Sequence, residues 1–144
     1  MASKRKIENN QIGYELIEAN IAFRDLCMLY WGEGTKFSGN SRFSISNSDC
    51  DMIKYIIKIL LSINSNIKLV ITCYYHNADD ELSIKSYWET KLELPIKMYK
   101  VKNSKRSLAK RINKQPNGTI RIDVNDKKML DMVLGGIDRI KTGR

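Results

Sequence analysis

A chain of 144 residues has the length of one domain, and its 42% hydrophobic content builds a core without disulfides or a structural metal. Twenty-five lysines and arginines against 16 acids give a net charge of +9, the balance of a protein that meets a polyanion. No apolar run is long enough for a membrane span, and the charged start Met1–Glu8 lacks the apolar region of a secretory signal. Cys27, Cys50 and Cys73 form no C-x-x-C pair, and His76 is the single histidine, which argues against a zinc site and for a reducing compartment. The expectation is an intracellular protein of the cytoplasm or an organellar matrix, without a membrane partner.

In chain order, residues 1–12 are expected to be a flexible basic N-terminus of a single domain spanning 1–144. The spacing predicts a helix over Tyr14–Gly32, with Leu16, Asn20, Phe23, Cys27 and Tyr30 on one side and Ile17, Ile21 and Met28 beside them. A helix apolar around so much of its circumference is buried on more than one side. It stops at Gly32-Glu33-Gly34. Gly39-Asn40 reads as a hairpin turn, followed by the alternating run Arg42–Asn47. Ser48 and Asp51 make a capping box for a helix to Asn64, which buries Ile53, Ile56, Ile57, Leu60 and Leu61. Ile67–Tyr75 is rich in β-branched and aromatic residues and predicts a strand. A second amphipathic helix is expected over Asp79–Leu92, ahead of Pro95. Strands near Met98–Lys102 and Thr119–Asn125 and a helix over Lys127–Ile140 complete an α+β domain.

The positive charge is concentrated. Between Lys97 and Lys114 lie eight cations and no acid, so the remainder of the chain is close to neutral. A solvated basic loop would have that composition, and so would a phosphate footprint. Strand alternation favours the footprint. Phe43 and Ile45 oppose Arg42, Ser44 and Ser46; Ile120, Ile122 and Val124 oppose Thr119, Arg121 and Asp123; Tyr99 and Val101 oppose Lys100 and Lys102. The expected nucleic-acid contacts are Lys36, Arg42, Ser44, Ser46, Lys68, Thr72, Lys100, Lys102, Lys105, Arg106, Lys110, Arg111, Thr119 and Arg121, side chains that reach phosphates and base edges. Cys27 lies in an apolar helix and reads as packing. Glu89 and Glu93 read as a solvated helix face. Neither G-x-G-x-x-G nor G-x-x-x-x-G-K-[ST] occurs, so no nucleotide cofactor is expected.

Leu26-Cys27-Met28-Leu29-Tyr30-Trp31-Gly32-Glu33-Gly34 resembles the nine-residue signature of the LAGLIDADG homing endonucleases. Leu26, Leu29, Glu33 and Gly34 stand at the signature's two leucines, its acid and its closing glycine; Met28 and Trp31 replace its glycine and aspartate. The resemblance, which covers about Tyr14–Ile140, implies an αββαββα core, a saddle-shaped antiparallel sheet, and Asp79–Leu92 as an inserted helix. It implies a site-specific double-strand DNA endonuclease, of the kind borne by introns or inteins, that hydrolyses a phosphodiester with Mg²⁺. Mn²⁺ would substitute, and Ca²⁺ would bind without supporting cleavage. One signature implies a homodimer on a roughly palindromic duplex, packed through Ile21, Arg24, Asp25, Met28 and Leu29. Glu33 with Gly32 would hold the metal, and Lys100 would be the basic group near the scissile phosphate. The other reading is a LAGLIDADG-like binder that does not cut, either a DNA-binding regulator or an RNA-splicing maturase; a third is a basic interaction domain.

Overall fold

The structure, a computed structural model, describes residues 3–35, 42–76, 81–101 and 117–143. Its elements are α1 (Lys4–Ala19), α2 (Ile21–Glu33), β1 (Phe43–Asn47), α3 (Cys50–Ile63), β2 (Leu69–Tyr75), α4 (Glu81–Leu92), β3 (Lys97–Lys100), β4 (Thr119–Val124) and α5 (Lys127–Thr142). The class is α+β, as expected. Three features of the detailed architecture differ from the sequence reading.

First, the N-terminal segment is helical from Lys4 onward, and the helix expected over Tyr14–Gly32 is two helices. Asn20 separates them with an extended backbone (φ −142°, ψ 101°). Its N–H donates to the Leu16 carbonyl, closing α1, while its side-chain oxygen accepts from the Phe23 N–H, opening α2. One asparagine thus caps both helices. The α1 helix lies parallel to α5, with Asn9 and Asn10 beside Asp131 and with Glu18 paired to Arg139. Glycines allow the approach: a Cβ at Gly13 would stand 1.8 Å from the Met132 carbonyl oxygen, and one at Gly135 would stand 2.0 Å from that of Asn10.

Second, the sheet is mixed, not wholly antiparallel. Its order is β1-β4-β2-β3; β4 runs antiparallel to β1 and β2, while β2 and β3 are parallel. Parallel neighbours need a crossover, and α4 supplies it. The helix read as an insertion therefore belongs to a β2-α4-β3 unit. Third, the hairpin after α2 reduces, among the described residues, to the antiparallel bridge Gly34–Ile45 and the bond from the Thr35 N–H to the Ser44 carbonyl (3.0 Å). Gly39-Asn40 lies outside the described residues. At α3 the cap is Asp49, accepting from the N–H groups of Asp51 and Met52, in place of Ser48.

Register assigns the two faces of the sheet. Phe43, Ile45, Ile71, Cys73, Tyr75, Ile120, Ile122 and Val124 point toward the helices and join Phe23, Leu26, Tyr30, Ile53, Ile56, Leu60, Trp88, Val133 and Ile137 in one core. Burial pushes the Cys27 thiol up to about 12 and the Cys73 thiol to about 11. Both stay protonated at neutral pH, which fits packing rather than nucleophilic chemistry.

Candidate functional site

The face of the sheet away from the core is polar. Pairing places Ser44 beside Asp123 and Ser46 beside Arg121 on β1 and β4. Thr72 lies beside Arg121, Tyr74 beside Thr119, and across the parallel pair Thr72 meets Lys97 and Tyr74 meets Tyr99. The centre of this face is an acid. Asp123 is 4% exposed, and the Arg121 Nε lies 2.8 Å from its Oδ2 and the Arg42 Nε 3.9 Å from its Oδ1. The Arg121 guanidinium also sits 5.1 Å from the centre of the Tyr74 ring, whose other neighbour is Tyr99 at 5.2 Å. A buried carboxylate needs such partners, so Asp123 orients both arginines while cancelling part of their charge.

This sorts the expected contacts. Arg42 and Ser46 are exposed at the β1 edge, and Lys68 is exposed just before β2. Thr119 and Arg121 are half-buried on the polar face. Ser44 and Thr72 lie on the same face but are each 8% exposed, so their hydroxyls support the surface and do not form it. Lys36, Lys102, Lys105, Arg106, Lys110 and Arg111 lie outside the described residues. Lys100 is exposed, but parallel pairing puts it on the core side of the pleat, with Met98, opposite Tyr75. Alternation within β3 is therefore the reverse of the sequence reading: Lys97 and Tyr99 occupy the polar face. We expect Arg121→Ala to cost about 1–2 kcal/mol of stability in denaturant unfolding, because it strands the Asp123 carboxylate, whereas Lys97→Ala stays within about 0.5 kcal/mol.

At the opposite edge, Glu33 is the last residue of α2 and is exposed, as is Gly32. A Cβ on Gly32 would meet nothing within 4 Å, so no packing among the described residues calls for a glycine there. Through the Gly34–Ile45 bridge Glu33 stands at the β1 edge, whereas Lys100 lies on β3. Four strand spacings across and four residues along separate Gly34 from Lys100, roughly 20 Å or more. Within one chain the geometry does not bring the two together.

The outward stripe of α2 is Ile21 (77% exposed), Arg24, Met28 (47%) and Trp31 (38%), with the Lys141 Nζ 5.6 Å from the Trp31 ring. Two residues expected in that stripe are engaged within the chain. Leu29 packs against the core, and Asp25 accepts a 2.5 Å hydrogen bond from the Tyr55 hydroxyl of α3. The contact raises the Tyr55 pKa, chiefly through that hydrogen bond.

The Glu33 carboxylate is a hard oxygen donor, the type that suits Mg²⁺. The number falls short: among the described residues no three His, Cys, Asp or Glu side chains gather. The described residues of one chain do not by themselves fit a divalent cation. Among the described residues no helix is long and apolar enough to cross a membrane. Compared with protein-family models, curated proteins and solved structures, the chain gives no match.

Proposed function

We propose that the chain is a site-specific double-strand DNA endonuclease of the LAGLIDADG type, acting as a homodimer. The observation that carries this reading is the placement of Glu33: an exposed acid at the C-terminal end of α2, beside an exposed apolar stripe and at the edge of a polar, arginine-bearing sheet face. An acid there opposes the helix dipole, and Gly32 faces open space; a second copy packed on Ile21 and Met28 accounts for both. Each copy then contributes one Glu33 carboxylate, which adds to the donors that the described residues of one chain supply. A divalent cation held by such carboxylates activates water and offsets charge on a phosphodiester. The work of the chain itself is to position: Arg42, Ser46 and Arg121 hold the duplex against the sheet, and the two α2 helices set the spacing of the acids.

The second reading, a binder that does not cut, is favoured by one observation, the single carboxylate at the end of α2. Incubation with a randomised duplex library in Mg²⁺, followed by sequencing of the ends, separates the two. Cutting at a near-palindromic site is the expected result; selective retention of a duplex without cutting replaces the nuclease with the binder, and retention of none overturns both. Ile21→Asp is expected to give monomers in sedimentation and no cutting, at little cost to the fold, because Ile21 is 77% exposed and a charge is costly only in a desolvated contact.

A further inference from the structure

An intact duplex keeps its bases stacked, with edges accessible and ring faces hidden. The polar face carries a feature that duplex edges do not use. Arg121, Tyr74 and Tyr99 form a row from β4 through β2 to β3, with 5.1 Å between guanidinium and ring and 5.2 Å between rings. Tyr74 is flanked on both sides and half-buried. Tyr99 ends the row at the sheet edge and is 58% exposed. Two residues earlier on the same strand and face, about 6.6 Å away at the rise of a strand, Lys97 is exposed and has no ion-pair partner among the described residues. An open aromatic ring next to an uncommitted cation matches the two parts of a nucleotide, a flat base and its phosphate.

We infer that Tyr99 is a stacking site for a single unpaired nucleobase of DNA, with Lys97 holding the adjacent phosphate. The inference rests on the DNA-binding reading and narrows its substrate: the preferred DNA carries a base outside the stack, at a bulge or in a single strand. Charge favours this occupant over a peptide strand added to the β3 edge, since the four residues of β3 include two exposed lysines and no acid, and edge lysines discourage strand pairing. A base lifted from the helix has both faces free, and Tyr99 contributes the surface to cover one of them. Arg121, fixed by Asp123, braces Tyr74 and so keeps the row from collapsing away from the ligand.

The test is anisotropy titration of three labelled DNA probes: a fully paired duplex, the same duplex with one extrahelical adenine, and its single strand. Wild-type protein is expected to bind the bulged duplex about tenfold more tightly than the paired one, the size of one stacked base. Tyr99→Ala and Tyr99→Leu should erase that ratio and leave the paired-duplex affinity within about twofold; Tyr99→Trp should keep it. Lys97→Ala should weaken all three probes and reduce the salt slope by about one contact. Equal affinity of wild type for bulged and paired duplexes, or an equal loss on every probe in Tyr99→Ala, overturns the stacking site while leaving DNA binding in place. Absence of binding to any probe at low salt overturns the DNA-binding reading together with this one.

Discussion

Glu33→Gln protein is expected to bind duplex DNA as tightly as wild type and to cut it at least about 10³-fold more slowly, since an amide keeps the size of the side chain but loses the charge that holds a cation and, through it, the developing charge of the reaction. The substitution should not damage the fold. Glu33 is exposed at the negative end of the α2 dipole, so removing its charge should raise stability slightly, by about 0.3 kcal/mol. A gain in stability coupled to a loss of cutting is a signature that a structural acid would not give. Cutting by the variant at the wild-type rate would remove Glu33 from the chemistry and leave the nuclease reading without its central residue.

Gly13→Leu is expected to have the largest effect on stability of any single change in α1. The Cβ alone would stand 1.8 Å from a carbonyl oxygen of α5, and a backbone atom inside a packed helix pair cannot swing aside as a side chain can. The helices must separate, which exposes Ile17 and strips the Asn9 and Asn10 contacts from Asp131. Overpacking of this severity costs about 3 kcal/mol or more, or roughly 6–12 °C in the thermal midpoint of a domain this size. Gly32→Ala, facing open space, is expected to leave stability unchanged or higher, given the helix preference for alanine. A Gly13→Leu midpoint within about 2 °C of wild type would mean that α1 is not docked in solution.

What the sequence made legible follows from how each element is held. The α3 helix, strands β1, β2 and β4, and most of α5 bury apolar side chains at their own period, and the expected core residues Ile53, Ile56, Leu60, Ile120, Ile122 and Val133 are in the core, whereas Leu61, expected with them, is exposed on the outer side of α3. The first turns of α1 are not legible because Lys4–Ile12 shows no apolar stripe: of these residues only Asn9 is buried, and the contact of α1 with α5 is made by amides, a carboxylate and close backbone. Hydrophobic periodicity cannot reveal a helix fixed by polar contacts. The break at Asn20 was hidden in an apolar pattern that continues across it. For β3, alternation shows that two faces exist but not which is which; its pairing with β2 decides, and the short helical crossover before it was the available sign that the pairing is parallel. At the candidate site, Glu33 and Arg121 stood out by residue type and position. The role of Asp123 did not, since an acid on an alternating strand reads as solvated until the two arginines beside it are seen.

The parallel pairing of α1 with α5 also has a consequence for how the chain is made. The main partner of α1 is α5, so the Asn9–Asp131 contact joins residues 122 apart in sequence. Until Asp131 has been synthesised, the α1 surface that will carry Asn9, Gly13 and Ile17 waits without its mate. Contacts of such long sequence separation form late. The strands β1 and β2 likewise meet only through β4, so the sheet and the α1–α5 pair both close late. A truncation before Lys127 would leave α1 without its main partner.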